Sequence, residues 1–136
     1  MSNLDKINHQ KILEEAISLT GLSDFGPNSH LQGLERLCWS LNYEANLNDI
    51  GKSAQVLRIT GLLVNRLLLE EDFKKNSIDE EEIKAPLVIV GLPRTGSTLI
   101  HRLLASDPDH TAMIWWEGRN PSRLKNEKRG EPHERI

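Results

Sequence analysis

One cysteine, Cys38, in 136 residues rules out an internal disulfide and any cysteine-based zinc site. Cys38 falls on the apolar side of an expected helix, where a buried, inert thiol is the plain expectation. Basic residues are not in excess: 17 Lys and Arg against 20 Asp and Glu leave a formal charge of −3. No global basic field exists to attract nucleic acid. No run approaches the roughly 20 apolar residues that cross a bilayer. The opening Met1-Ser2-Asn3-Leu4-Asp5-Lys6 lacks the apolar core of an export leader. Internal repeats and low-complexity tracts are absent too. These absences lead to the expectation of a cytoplasmic protein with no membrane span and no nucleic-acid partner, of a size for one small domain.

The hydrophobic pattern divides the chain into a helical region, residues 1–84, and the start of an α/β domain, residues 85–136. Apolar residues at 4, 7, 12, 13, 16, 17 and 19 mark one face of a first helix that stops at Gly21. Asn28 or Ser29 caps a second, with Leu31, Leu34, Leu37, Cys38 and Leu41 as its stripe. A long third helix is expected over residues 48–74, with Ile50, Leu57, Leu62, Val64, Leu67 and Leu68 inward. Gly51 and Gly61 weaken it by up to ~1 kcal/mol each, which suggests close helix contacts there. Residues 74–84, with Asp79-Glu80-Glu81-Glu82 inside, read as a solvated charged connector.

From Ala85 the period changes. Residues 87–90 form a continuous apolar run of strand length, as in a parallel sheet covered on both faces. Residues 97–106 then read as a helix with Leu99, Ile100, Leu103 and Leu104 toward the sheet, stopped by Asp107-Pro108. Residues 111–116 read as a second strand, joined to the first by a right-handed parallel crossover. The fold class expected is thus α/β: a P-loop-like parallel sheet with about two strands readable, preceded by an α-helical region. Two strands do not complete such a sheet, so the chain reads as part of a larger domain.

Between strand and helix stands Gly91-Leu92-Pro93-Arg94-Thr95-Gly96-Ser97-Thr98. Loop amides and the free amides of a first helical turn converge on an anion in such a turn. The spacing Gly91-x-x-x-x-Gly96 matches the P-loop template, yet Ser97 occupies the place of the lysine that a nucleotide triphosphatase needs. A cation is offered instead by Arg94, and two hydroxyls follow the second glycine. Pro93 presets the turn, and Gly91 and Gly96 permit backbone angles and close approach that a Cβ hinders. The loop is suited to a phosphate other than that of ATP or GTP.

Pro93-Arg94-Thr95-Gly96-Ser97-Thr98 after an apolar strand resembles the 5′-phosphosulfate-binding loop of the sulfotransferases. The resemblance extends to the bacterial-type branch with a helical N-terminal extension. It is carried by Thr20-Gly21-Leu22-Ser23-Asp24-Phe25-Gly26, Val64-Asn65-Arg66-Leu67, Leu99-Ile100-His101-Arg102-Leu103-Leu104-Ala105-Ser106-Asp107-Pro108 and Trp116-Glu117. It implies 3′-phosphoadenosine 5′-phosphosulfate as sulfuryl donor, no metal, and a hydroxyl or amine acceptor. Members of that group are much longer, so a missing C-terminal half or an oligomer is expected to complete the enzyme, with little activity from this length alone.

Roles follow for the residues that match. Arg94 stands beside the bridging oxygen of a phosphosulfate, where its guanidinium stabilises charge on the departing phosphate. Pro93, Thr95, Gly96, Ser97 and Thr98 complete the donor cradle. Glu117, at the carboxyl edge of the expected sheet, is the candidate general base, with a capping or surface carboxylate as the alternative. His101, one turn beyond Ser97, is expected to make a structural hydrogen bond, and His110 lies at the opposite edge. Trp115 and Trp116 suit either a ligand wall or packing, and Arg119 and Arg123 either the donor or a basic tail. Two other functions stand beside the sulfotransferase-like one: a P-loop kinase or nucleotide-binding protein, and a non-catalytic helical interaction module.

Overall fold

The computed structural model describes residues 6–122, and these divide into two compact units with the boundary between Ile78 and Asp79. Starts expected within residues 1–5, including Leu4, and the role considered for Arg123 lie outside the described residues.

The first unit is three helices. Helix α1 (His9–Thr20) begins where the Asn8 side chain accepts from the amides of Gln10 and Lys11. It ends at Gly21, whose φ of 69° is left-handed and whose amide returns to the Ile17 carbonyl. Helix α2 (Ser29–Tyr43) follows Asn28, and helix α3 (Asp49–Lys75) is capped by the Asn48 side chain on the Gly51 amide. Asn42 near the end of α2 accepts from the Ile7 amide at 2.9 Å and donates to the Ile7 carbonyl at 2.8 Å. That pair ties the end of α2 to the start of α1, so the two helices run antiparallel.

The core is Ile7, Ile12, Ala16, Leu34, Cys38, Ile59, Leu63 and Leu67, with Thr60 buried among them. Cys38 is buried and free, and burial pushes its thiol pKa up. The inward stripe of α3 differs from the one expected. Ile59, Leu63 and Leu67 at i, i+4 spacing face the core, whereas Ile50, Leu57 and Leu62 are exposed. The expected set mixed two phases of a 27-residue helix, and packing against α1 selected one. Gly61 faces open space, not a neighbouring helix.

The loop between α1 and α2 is clamped to α3. Arg66 donates from Nε to the Phe25 carbonyl at 2.6 Å and from Nη2 to the Pro27 carbonyl at 3.2 Å. Lys74 meets the Asp24 carboxylate at 2.6 Å, and Gly26 lies so close to the Glu70 carboxylate that a Cβ would collide with it. With its end held here and its start against residues 52–57, α1 runs parallel to α3. The two segments Thr20-Gly21-Leu22-Ser23-Asp24-Phe25-Gly26 and Val64-Asn65-Arg66-Leu67 are therefore spatial partners.

The second unit corrects the expected fold class. Among its described residues no strand forms; it has a single 3-10 turn at the boundary (Ile78–Glu80), helix α4 (Ser97–Ala105) and the short helix α5 (Trp115–Arg119). Residues 86–92 lack regular structure, and Leu87, Val88 and Val90 are exposed. An apolar run becomes a strand only when a neighbour pairs its amides and carbonyls, and no described segment does so. The second expected strand fails for a further reason. Glu117 accepts from the Ile114 amide at 3.2 Å, closing the first turn of α5 and drawing Trp115 and Trp116 into a helix. Leu99, Ile100 and Leu103, expected to face a sheet, are exposed on α4.

Candidate functional site

The turn before α4 is built by two left-handed residues and one side-chain hydrogen bond. Arg94 adopts φ 64° and Gly96 φ 89°, both left-handed. A non-glycine residue there is uncommon and costs on the order of 1 kcal/mol, so the turn holds Arg94 against its preference. The Thr95 hydroxyl donates to the Leu92 carbonyl at 2.7 Å and pins the loop from inside. A Cβ at Gly91 would lie 2.9 Å from that same hydroxyl, which is why the position suits glycine.

Gly96 then caps α4. Its carbonyl accepts from the amides of Leu99 at 3.0 Å and Ile100 at 3.1 Å, and nothing lies within 4 Å of where its Cβ would be. The amides of Ser97 and Thr98 precede the first intrahelical bond and have no acceptor within the helix. They point out of the helix N-terminus, together with its partial positive charge. The open space at Gly96 leaves room for an anion to approach the backbone. Residues 93–98, expected as the donor cradle, lie on a turn that leads into α4. Thr95 differs from the expectation in one respect: its hydroxyl proton is committed to Leu92.

Ser97 and Thr98 open onto a hollow of about 640 Å³ lined further along α4 by His101, Arg102 and Ala105. The opposite wall is Ile89 with residues 112–115. His101 is half-buried there and makes no hydrogen bond among the described residues, so the structural bond expected for it is not found. Its exposure to the hollow on the side of Ser97 was legible from the four-residue spacing. Arg102 shares this wall, and sequence reasoning gave it no role; its position one turn beyond Thr98 was the available signal.

Glu117 is half-buried in α5, with one carboxylate oxygen on the Ile114 amide. The structure thus gives it the capping contact. Arg119 lies over the Trp115 ring at 5.5 Å, and Trp115 also lines the hollow. His110 pairs with Asp107 at 3.2 Å in the turn after α4, away from the Gly96 cap. The Asp109 amide, followed by His110, holds the Asp107 carboxyl below its usual range. Among the described residues, no group of three or more His, Cys, Asp or Glu gathers as a metal site, and no helix is long and apolar enough to cross a membrane.

Comparison with known proteins bears on the same segment. Residues 86–135 match the model of a sulfotransferase family. The chain is similar in structure to a sulfotransferase from Mycobacterium tuberculosis, STF1, with a TM-score of 0.79 and 32% identity. That likeness takes in 86% of this chain and 33% of the mycobacterial one, so the chain spans about a third of that relative's length. No protein of curated function matches the sequence. The resemblance to bacterial-type sulfotransferases read from residues 93–98 and their surroundings is borne out.

Proposed function

From this likeness to bacterial-type sulfotransferases we propose that the chain supplies the donor-binding part of an enzyme that moves a sulfuryl group from 3′-phosphoadenosine 5′-phosphosulfate to a hydroxyl or amine acceptor. The observation that carries the reading is the turn itself: left-handed Arg94 and Gly96 opening the amides of Ser97 and Thr98 at the start of α4. The donor brings an activated sulfur–oxygen bond.

The amides and hydroxyls of Ser97 and Thr98 hold the 5′-phosphate at the helix end. Pro93 and the Thr95 hydroxyl fix the loop that presents them. Arg94 sets its guanidinium where negative charge grows on the phosphate as the sulfur–oxygen bond breaks. The acceptor oxygen or nitrogen forms the new bond to sulfur and loses its proton to Glu117, through the carboxylate oxygen not engaged by Ile114. The products are the sulfated acceptor and adenosine 3′,5′-bisphosphate. A cytosolic setting suits the lone buried thiol of Cys38. Activity belongs to the whole enzyme, and a chain of this length is expected to bind the nucleotide weakly and not turn it over.

Titration calorimetry with adenosine 3′,5′-bisphosphate, the phosphosulfate nucleotide and MgATP tests the reading. Preference for the first two, lost in Gly96→Val, supports it. Tight MgATP binding with Mg²⁺-dependent phosphate release overturns it in favour of a kinase-like protein, against which Ser97 in the lysine position argues.

A further inference from the structure

A second cavity lies wholly within the helical unit, between the start of α1 and the first turns of α3. It has a volume of about 400 Å³, within the roughly 300–1,000 Å³ usual for small-molecule sites. Its base is apolar: Ile7 and Ile12 are buried, and Val56 packs partly against the core. Leu57 forms one wall and stands 76% exposed, an apolar surface that neither α1 nor α3 covers. The rim is cationic, with Lys6, Lys11 and Lys52 against one carboxylate among the lining residues, Glu15.

The three lysines are not equivalent. Lys6 is held, donating to the Tyr43 hydroxyl at 2.8 Å with its ammonium 4.8 Å from the ring centroid. Lys11 is engaged as well. Lys52 is half-buried on α3 and makes no hydrogen bond or ion pair among the described residues. This cation stands beside an apolar trough with no anion on it among the described residues, a pairing that suits an anionic group joined to an apolar one.

We propose that this groove binds an amphipathic anion, an aliphatic chain ended by a single carboxylate or sulfate. The chain lies along Ile12, Val56 and Leu57, and the head group pairs with Lys52. The site is independent of the phosphate turn and of the function read from it.

Titration of the full chain with decanoate and decyl sulfate, below their micelle ranges, tests the proposal, followed by calorimetry and amide NMR shifts. Decyltrimethylammonium and inorganic sulfate serve as the charge and head-group controls. The expected result is saturable binding of at least one decyl anion, with shifts at residues 52–57 and neither control binding there. Lys52→Glu weakens that binding about tenfold or more, and Leu57→Gln, at an exposed position, weakens it several-fold with the fold intact by circular dichroism. The relative strength of decanoate and decyl sulfate identifies the preferred head group. Equal binding of the cationic detergent, unchanged affinity in both variants, or no saturable binding of either anion overturns the proposal.

Discussion

The Thr95 hydroxyl donates to the Leu92 carbonyl at 2.7 Å, so a residue that looks like a phosphate ligand in the sequence is the latch of the loop that presents the ligands. In the proposed donor site it would act through the shape of the loop. Thr95→Ser keeps the donor group and is expected to bind the phosphosulfate nucleotide nearly as the parent does. Thr95→Val removes it and is expected to lower affinity about tenfold, the scale of one net hydrogen bond. Because the residue is exposed, the melting temperature should barely move. Equal affinity in the two variants would show that the latch is dispensable.

Arg94 separates strain from function. Its φ of 64° suits glycine, so Arg94→Gly relieves about 1 kcal/mol of backbone cost and should not destabilise the protein. The same change removes the guanidinium, and in the whole enzyme turnover should fall about 10²–10³-fold, as when one charge-stabilising donor is lost. Arg94→Ala should lose turnover equally while keeping the strain. Wild-type turnover in both would remove Arg94 from the reaction.

The helical unit offers a matched pair of glycines. Gly26 has φ 68° and faces the Glu70 carboxylate, so Gly26→Ala should cost at least about 1–2 kcal/mol in urea unfolding. Gly61 sits inside α3 with nothing near its absent Cβ, and Gly61→Ala should add about 0.5–1 kcal/mol. A stabilising Gly26→Ala would mean that the clamp from α3 onto the 21–27 loop does not hold in solution.

Much of the helical architecture was legible in local chemistry. Gly21 marks the end of α1 and Asn48 the start of α3 because caps act over one turn and need no distant partner. What escaped reading depends on neighbours. Residues 87–90 carry a strand's composition, and strand formation requires a second strand to pair with. Ile50, Leu57 and Leu62 are as apolar as Ile59, Leu63 and Leu67, and only contact with α1 distinguishes the buried row. At residues 111–116 a local sign was available, Glu117 three residues after Ile114, which favours a helix start over a strand. At the candidate site the loop itself was readable because glycine spacing constrains its backbone. The commitment of the Thr95 hydroxyl was not, whereas the place of Arg102 had a sign in its spacing, one turn beyond Thr98.

Acid should loosen the loop clamp first. The Lys74 side chain, then the Gly26 amide, hold the Asp24 carboxyl below its ordinary value of about 3.9. A carboxyl depressed in the folded state stabilises the fold above its unfolded pKa, and that stability is lost as pH falls through the lower, folded value. Unfolding followed between pH 5 and 2 should therefore show Asp24→Asn less stable than the parent at pH 5 and converging with it at the acid end. Parallel curves would indicate that the exposed pair of loop residue Asp24 with Lys74 of α3 contributes nothing in solution.

Glu117 has two roles to separate, the cap of α5 and the proposed base. Its carboxylate accepts from the Ile114 amide, and a glutamine carbonyl can accept the same hydrogen bond. Glu117→Gln therefore preserves α5 and removes the capacity to take a proton. Glu117→Ala removes both. If the carboxylate acts as base, the glutamine variant of the whole enzyme should lose about 10²–10⁴-fold in turnover with donor affinity unchanged. If Glu117 only caps, Glu117→Gln should behave as the parent. Glu117→Ala should then lower both donor affinity and turnover, since α5 brings Trp115 to the hollow beside Ser97 and Thr98. Full turnover in Glu117→Gln would assign proton removal to another group.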